Sequence, residues 1–358
     1  MRRFARVFLA VFFTLSAIFS ESQQPIVLHN APTPAGWGFI DEHGAFQSDH
    51  RFVAAEPFSE GFAAVSDGKK FGFVNSSGVV VIPFRYEDVQ PFSDGLACVK
   101  IAGRWGFIDK TGRVVIQPSL EKAADFIDGF AAVFPVDTKS LEGNFLNKAG
   151  KFVLLRHGYD AVIHYGDHLA WVSNFEFGQE YWRVIDRNQR WVSEKLTSCS
   201  LLPKYFSEGL AALQRTCSAK WGFVDRTGKQ CIPAIFDDVH PFSEGLAAVK
   251  VAGKWGYISL DGAIRITPLF DEVGDFFSGF APASIGGKVG YISQTGQWII
   301  PAQFVVAHVD GGPMSAGNFK DGLALLVIRD GSGERDLSME YIDKKGKIVY
   351  GPAHMTGL

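Results

Sequence analysis

Residues 242–273 read FSEGLAAVKVAGKWGYISLDGAIRITPLFDEV, and three pieces of this stretch return along most of the chain. The first is an aromatic residue, a turn ending in glycine and a run of small apolar residues. FSEGLAAV from Phe242 has counterparts in FSEGFAAV from Phe58, FSDGLACV from Phe92, FIDGFAAV from Phe126 and FSEGLAAL from Phe206. Looser copies begin at Tyr165, Phe276 and Phe319. The second piece is KWGYIS, related to GWGFID, KFGFVN, RWGFID, GNFLN, WRVID, KWGFVD, KVGYIS and MEYID. These aromatic and β-branched runs predict strands. The third is a turn with Asp, Asn or Ser first and, in all copies but that at Asp186, Gly three residues later. Its copies start at Asp41, Asn75, Asp109, Asn147, Asp186, Asp225, Ser259, Ser293 and Asp343, spaced by 34, 34, 38, 39, 39, 34, 34 and 50 residues. A period in this range marks a repeat architecture, so about nine units are expected.

Each piece has a physical reason. A short polar side chain at the first turn position bonds the backbone two residues on, and Gly at the fourth tolerates the left-handed conformation that closes a hairpin. In RWGFID, Trp105 and Phe107 share one face of the strand, with Gly106 and Ile108 on the other. A glycine beside the tryptophan lets another backbone approach closely. The proline in Val79 to Pro83, Val114 to Pro118 and Trp298 to Pro301 cannot donate to a ladder and is expected to end its strand. No helical period of comparable length follows the first segment, so the fold class expected is all-β, a tandem-repeat array of short antiparallel β-units.

These residues resemble the WG-repeat family, also called KWG repeats. The likeness covers residues 36–350 and departs from the pattern over 135–200, where Trp-Gly becomes Gly143-Asn144 and then Trp182-Arg183. The resemblance implies a β-repeat architecture with a binding or scaffolding role, and it implies no catalytic residues. Two arrangements fit such units. A 34-residue unit is short for a four-stranded propeller blade, which needs roughly 40 residues. The first and last units also duplicate each other. Both points favour an open twisted array of three-stranded units, with an eight-bladed β-propeller as the alternative.

The chain has 358 residues, 47% of them hydrophobic and 20% charged, which excludes disorder as its main state. A formal charge of -3 supplies no general field for a polyanion and argues against nucleic acid as a partner. Arg2, Arg3 and Arg6 precede an apolar run from Val7 to Phe19 that is short for a membrane span. Residues 1–22 therefore read as a signal peptide cleaved after Ser22, with an uncleaved amphipathic anchor as the alternative. A linker at 23–35, the repeat domain at 36–350 and a tail at 351–358 complete the division. The expected location is periplasmic or secreted, with no membrane span after signal removal.

The candidate chemistry is sparse. Cys98 and Cys231 stand in strand positions and read as small core residues, whereas Cys199 and Cys217 flank an FSEGLAAL element in inserted segments and could form a disulfide, which export permits. Zinc lacks a Cys-x-x-Cys pair. His164 and His168, with Asp160 and Asp167, read as turn residues, and GGKVG from Gly286 follows no phosphate-loop pattern. Asn75 satisfies a glycosylation sequon but already occupies the repeating turn position. Glu60, Asp94, Asp128, Glu208, Glu244 and Asp321 recur at one repeat position, which marks them as architectural, since glycoside cleavage needs one unlike acid pair. Lys70, Arg104, Lys220, Lys254 and Lys288 form a basic ladder, read as solvated or ion-paired.

No cofactor, metal or catalytic constellation emerges. The leading expectation is a non-catalytic repeat scaffold binding a protein partner or a cell-envelope component. The alternative is a carbohydrate-binding module in which Trp171, Trp182 and Trp191 of the irregular central units stack on sugar rings. A hydrolase hidden in that region has the least support.

Overall fold

The computed structural model describes residues 28–33, 36–47, 52–127, 129–135, 144–153, 161–166, 168–176, 179–186, 188, 190–197, 203–204, 206–214, 220–308, 314–329 and 337–354. All regular structure in them is antiparallel β, and none of it is a helix long and apolar enough to cross a membrane. Residues 1–27, and with them the signal reading, lie outside the described residues. The strands gather into eight sheets, one of which has seven strands and serves two successive units. Nine Trp-Gly-type strands thus define nine units among the described residues.

The seventh unit shows the plan. Its strands Asp238–Val239, Leu246–Val251, Lys254–Ser259 and Ile264–Phe270 pair in chain order. The unit has four strands where three were expected, because the first is only two residues long and carries no sequence pattern of its own. The economy comes from the connection: Ile264–Phe270 runs almost directly into Glu272–Val273, the first strand of the next unit. In the seven-stranded sheet the two are one continuous strand, Val114–Ala123. A 34-residue repeat therefore suffices for a four-stranded blade.

The glycine of Trp-Gly and the proline of the following strand belong to one device. Trp255 pairs with Phe270 and Tyr257 with Ile266, so Thr267, Pro268 and Leu269 bulge across Gly256 alone. A Cβ on Gly256 would stand 2.6 Å from the Pro268 nitrogen and closer still to the Ile266 carbonyl oxygen. The same register recurs opposite Gly72, Gly106, Gly222 and Gly290. Proline does not end the strand, as the sequence suggested. It sits within Val80–Tyr86 and Ile264–Phe270 at a bulge, where its missing N–H costs no ladder bond.

The units close on one another in a ring. Ala31 and Ile40 of the first unit pack with Leu323 and Tyr341 of the ninth. The Tyr341 hydroxyl donates to the Asn30 carbonyl at 2.8 Å, as Tyr257 and Tyr291 donate to Gly274 and Gly317 of their following units at 2.7 Å. Tyr350 likewise bonds the Pro32 carbonyl, and its ring meets Phe46 edge-on at 5.5 Å. The open array favoured from the duplicated ends thus gives way to the propeller alternative, with nine units in place of eight. His29–Thr33, inside the expected linker, is the strand that meets the ninth unit, and Ile348–His354 runs into the expected tail.

Candidate functional site

Among the described residues, the regular seams between neighbouring units repeat one set of bonds. The Phe of the Phe-Ser-Glu-Gly element lies on the aromatic residue two positions after the Trp-Gly tryptophan of the preceding unit. Ring centroids are 4.9 Å apart for Phe39 and Phe58, 4.9 Å for Phe73 and Phe92, 4.7 Å for Phe107 and Phe126, and 4.8 Å for Tyr257 and Phe276. The serine then donates to the carbonyl of the next unit's Phe, at 2.7 Å from Ser59, Ser93, Ser207 and Ser243. Such pairs give these interfaces a shared aromatic contact and one satisfied carbonyl.

The acidic ladder is part of this seam. Glu60, Asp94, Glu208 and Glu244 sit in the left-handed region with φ between 51° and 54° and accept the N–H of Gly95, Gly129, Gly245 and Gly279 in the next unit. Lys110 and Lys148 of the following turns reach Glu60 and Asp94 at 3.2 and 2.5 Å. The architectural reading of these acids holds, and Asp128 lies outside the described residues. Three members of the basic ladder are engaged by a second set of acids. Lys70 pairs with Glu87, Lys220 with Asp237 and Lys254 with Asp271. The Lys254 ammonium, with the Gly286 amide, holds Asp271 below the usual carboxylate range. That same Gly286 N–H is thereby committed to a carboxylate, which leaves GGKVG unsuited to phosphate.

The central tryptophans depart from expectation. Trp171 and Trp182 are buried, Trp171 stacked on Phe206 at 5.2 Å with its indole N–H given to the Lys204 carbonyl. Trp182 takes the core role that the Trp-Gly tryptophan fills elsewhere, Trp171 stands where other units carry a small residue such as Ala248, and neither can stack on a sugar. Trp191 is 38% exposed, with the Arg183 guanidinium 4.3 Å over its ring. Cys98 is buried as expected, whereas Cys231 is exposed because it falls on the outward face of Gln230–Phe236. Cys199, Cys217, Asp160, Asp167 and the His164 side chain lie outside the described residues. Among the described residues no three His, Cys, Asp or Glu side chains converge as metal ligands would.

The seam between the ninth and first units differs from the rest, a feature that reading the repeats one at a time misses. A cavity of about 210 Å3 opens there, walled by Phe58, Leu323, Leu325 and Tyr341 and lined by His29 and Asp321. His29 is 8% exposed and its Nε2 has no hydrogen-bond partner among the described residues. Burial pushes its pKa below the ordinary 6.5 and Lys320 adds to this, while Asp321 and Glu42 pull the other way. The unfolded chain therefore binds the proton more readily. Stability from a neutral His29 is full above pH 6.5 and is lost as pH falls through the lower folded value. Melting midpoints taken from about pH 7.5 to about pH 5.5 should fall further for the wild type than for His29→Gln. Parallel falls would show that His29 does not carry the dependence.

Comparison with known proteins agrees with this architecture. The WG containing repeat model matches residues 37–71, 71–105, 105–134, 221–255, 255–288 and 290–309, together more than half of the chain. No curated protein sequence matches the chain. Among solved structures, a eukaryotic initiation factor superposes with a TM-score of 0.64 at 11% identity, covering 92% of this chain and 97% of that one, which is a likeness of fold. The Dos1 propeller aligns with a TM-score of 0.42 at 13% identity over 75% of this chain and 88% of that one. PorZ of Porphyromonas gingivalis, a surface component of a type-IX secretion system, aligns with a TM-score of 0.35 at 10% identity over 83% of this chain and 44% of its own. Only the first is close enough to speak for the fold. With its nine units, its glycine-proline bulges and the matches on both sides of the irregular centre, the chain belongs to the WG-repeat family.

Proposed function

We propose that the protein is an exported, non-catalytic repeat scaffold that binds a protein partner or a cell-envelope component across a broad surface. The observation that carries this reading is the outward face of the last strand in successive units. Val81, Val115 and Ile299 are exposed one residue before the buried isoleucine of that strand, Ile264 two before it and Ile235 and Leu269 three after it, and in most units the strand is a sheet edge. A repeated apolar rim with open edges suits association with another macromolecule. Glu60, Asp94, Glu208, Glu244, Lys70, Lys220 and Lys254 of the two ladders, by contrast, are engaged within and between the units. The carbohydrate reading is left with Trp191 alone.

Export rests on the first 22 residues, and intact mass of the protein from an extracytoplasmic fraction tests it. A chain starting at Gln23 supports export, whereas intact Met1 in a cytoplasmic fraction contradicts it. For binding, the mature protein and an Ile264→Glu/Ile299→Glu variant should be compared in cross-linked co-purification from envelope extract. Both sites are exposed, so the variant is expected to keep the wild-type melting midpoint while losing its partner. Recovery of the same partners by both proteins would refute the outer-strand surface.

A further inference from the structure

We propose that the face of the ring carrying the Asp-x-x-Gly turns is a docking surface for an anionic phospholipid bilayer. The proposal names the cell-envelope component of the reading above, rests on that reading for the compartment, and uses a face other than the outer strands. A regular unit sends two connections to this face, the Phe-Ser-Glu-Gly turn between its first and second strands and the Asp-x-x-Gly turn between its third and fourth. Lys110 of one and Glu60 of the other meet there at 3.2 Å.

The second and fifth positions of the Asp-x-x-Gly turns are basic in four consecutive units. The third unit carries Lys110 and Arg113, the fourth Lys148 and Lys151, the fifth Arg190, and the sixth Arg226 and Lys229, all of them exposed. The flanking units have uncharged residues there, Ser76 and Val79 in the second and Leu260 and Ala263 in the seventh. The cations thus form one arc. The acids of the same turns lie beneath it, since Asp109, Asp186 and Asp225 accept N–H groups of their own turns at 2.8 to 3.1 Å. Lys110 and Lys148 lean on Glu60 and Asp94, and Arg113 on Asp109, whereas Lys151, Arg190 and Lys229 enter no ion pair with a described residue.

Apolar side chains stand on the same face where the repeat has polar ones. Ser59, Ser93, Ser207 and Ser243 bond the next unit through their hydroxyls, but in the fourth and eighth units Ile127 and Phe277 take that place in the same turn. They are 50% and 45% exposed and have no hydroxyl to give the seam. Leu260, also exposed, stands where the third and fourth units have Lys110 and Lys148. Cations attract lipid phosphates, and apolar side chains beside them enter the boundary between headgroups and acyl chains. A soluble polyanion would engage the cations alone, so the exposed isoleucine, phenylalanine and leucine favour the bilayer.

The test is co-sedimentation of the mature chain from Gln23, free of the basic and apolar segment at 1–22, with vesicles of phosphatidylglycerol and phosphatidylcholine in about equal parts. Saturable binding is expected, absent on phosphatidylcholine alone and falling as salt rises from about 0.1 to about 0.5 M. Lys151→Glu/Arg190→Glu/Lys229→Glu should weaken it at least about ten-fold. Lys69→Glu/Arg104→Glu/Lys288→Glu makes the same change of charge on the hairpins of the opposite face and should leave binding as it is. Ile127→Ser/Phe277→Ser restores the residue of the regular units, so it should keep the melting midpoint while weakening binding at least about ten-fold. No binding to the anionic vesicles, or equal loss in the two charge variants, overturns the proposal. Undiminished vesicle binding by the serine variant, with inorganic polyphosphate bound as tightly, also overturns it and marks the arc as a site for a soluble polyanion. Each of these failures leaves partner recovery by the outer strands standing, whereas intact Met1 in a cytoplasmic fraction strikes the export reading alone.

Discussion

Gly256→Val should destabilise the protein by more than about 4 kcal/mol, at the upper end for a single substitution. The added Cβ would fall 2.6 Å from the Pro268 nitrogen, with the Ile266 carbonyl and the Pro268 Cα equally in the way. These are backbone atoms of a bulge whose register is fixed on both sides by Trp255 with Phe270 and Tyr257 with Ile266. No rotamer change relieves the clash. Gly253→Ala, where nothing lies within 4 Å of a Cβ but φ is 82°, isolates the cost of positive φ alone, roughly 1 kcal/mol. Chemical denaturation of both variants checks it, and equal losses would mean that close approach is not why Gly256 is glycine.

Trp255→Ala should cost about 3 to 5 kcal/mol, the range for deleting a large buried aromatic side chain. Trp255 is 7% exposed, touches the His240 ring at 4.9 Å and lies in one cluster with Tyr257, Phe270 and Phe276. Trp182→Ala should cost as much, since Trp182 is 1% exposed and packs with Trp171, Leu196 and Phe206. The central unit is thus irregular in motif but not in its need for a core. Because seams are local, the variants should show a partial early transition before the main one. A wild-type melting curve for Trp255→Ala would contradict the core assignment.

The repeats were legible because their markers are backbone necessities. Asp109 accepts the N–H of Thr111 and Arg113, and Gly112 has φ 79°, as the turn pattern required. Gly106 and Pro118 were each noticed, but only the register shows that one makes room for the other. The fourth strand was not legible, because Asp238–Val239 and Glu272–Val273 are too short to show a period. Nor was closure, which depends on Lys320 spanning a unit and on Tyr341 meeting a strand 311 residues away in the chain. The burial of Trp182 was hidden because Arg183 replaces the Gly of Trp-Gly in its strand, and that of Trp171 because it stands where other units carry a small residue such as Ala248.

The central claim is that nine units close into a ring through a seam between the ninth and the first. The most direct measurement is a nuclear Overhauser experiment on protein selectively labelled at Phe and Tyr, with Phe46 and Tyr350 assigned by substitution. Their rings lie edge-on with centroids 5.5 Å apart. The closed ring predicts a cross-peak between Phe46 and Tyr350. Absence of that cross-peak, with both rings assigned and the neighbouring Tyr291–Phe319 cross-peak present, would contradict closure and return the fold to an open array.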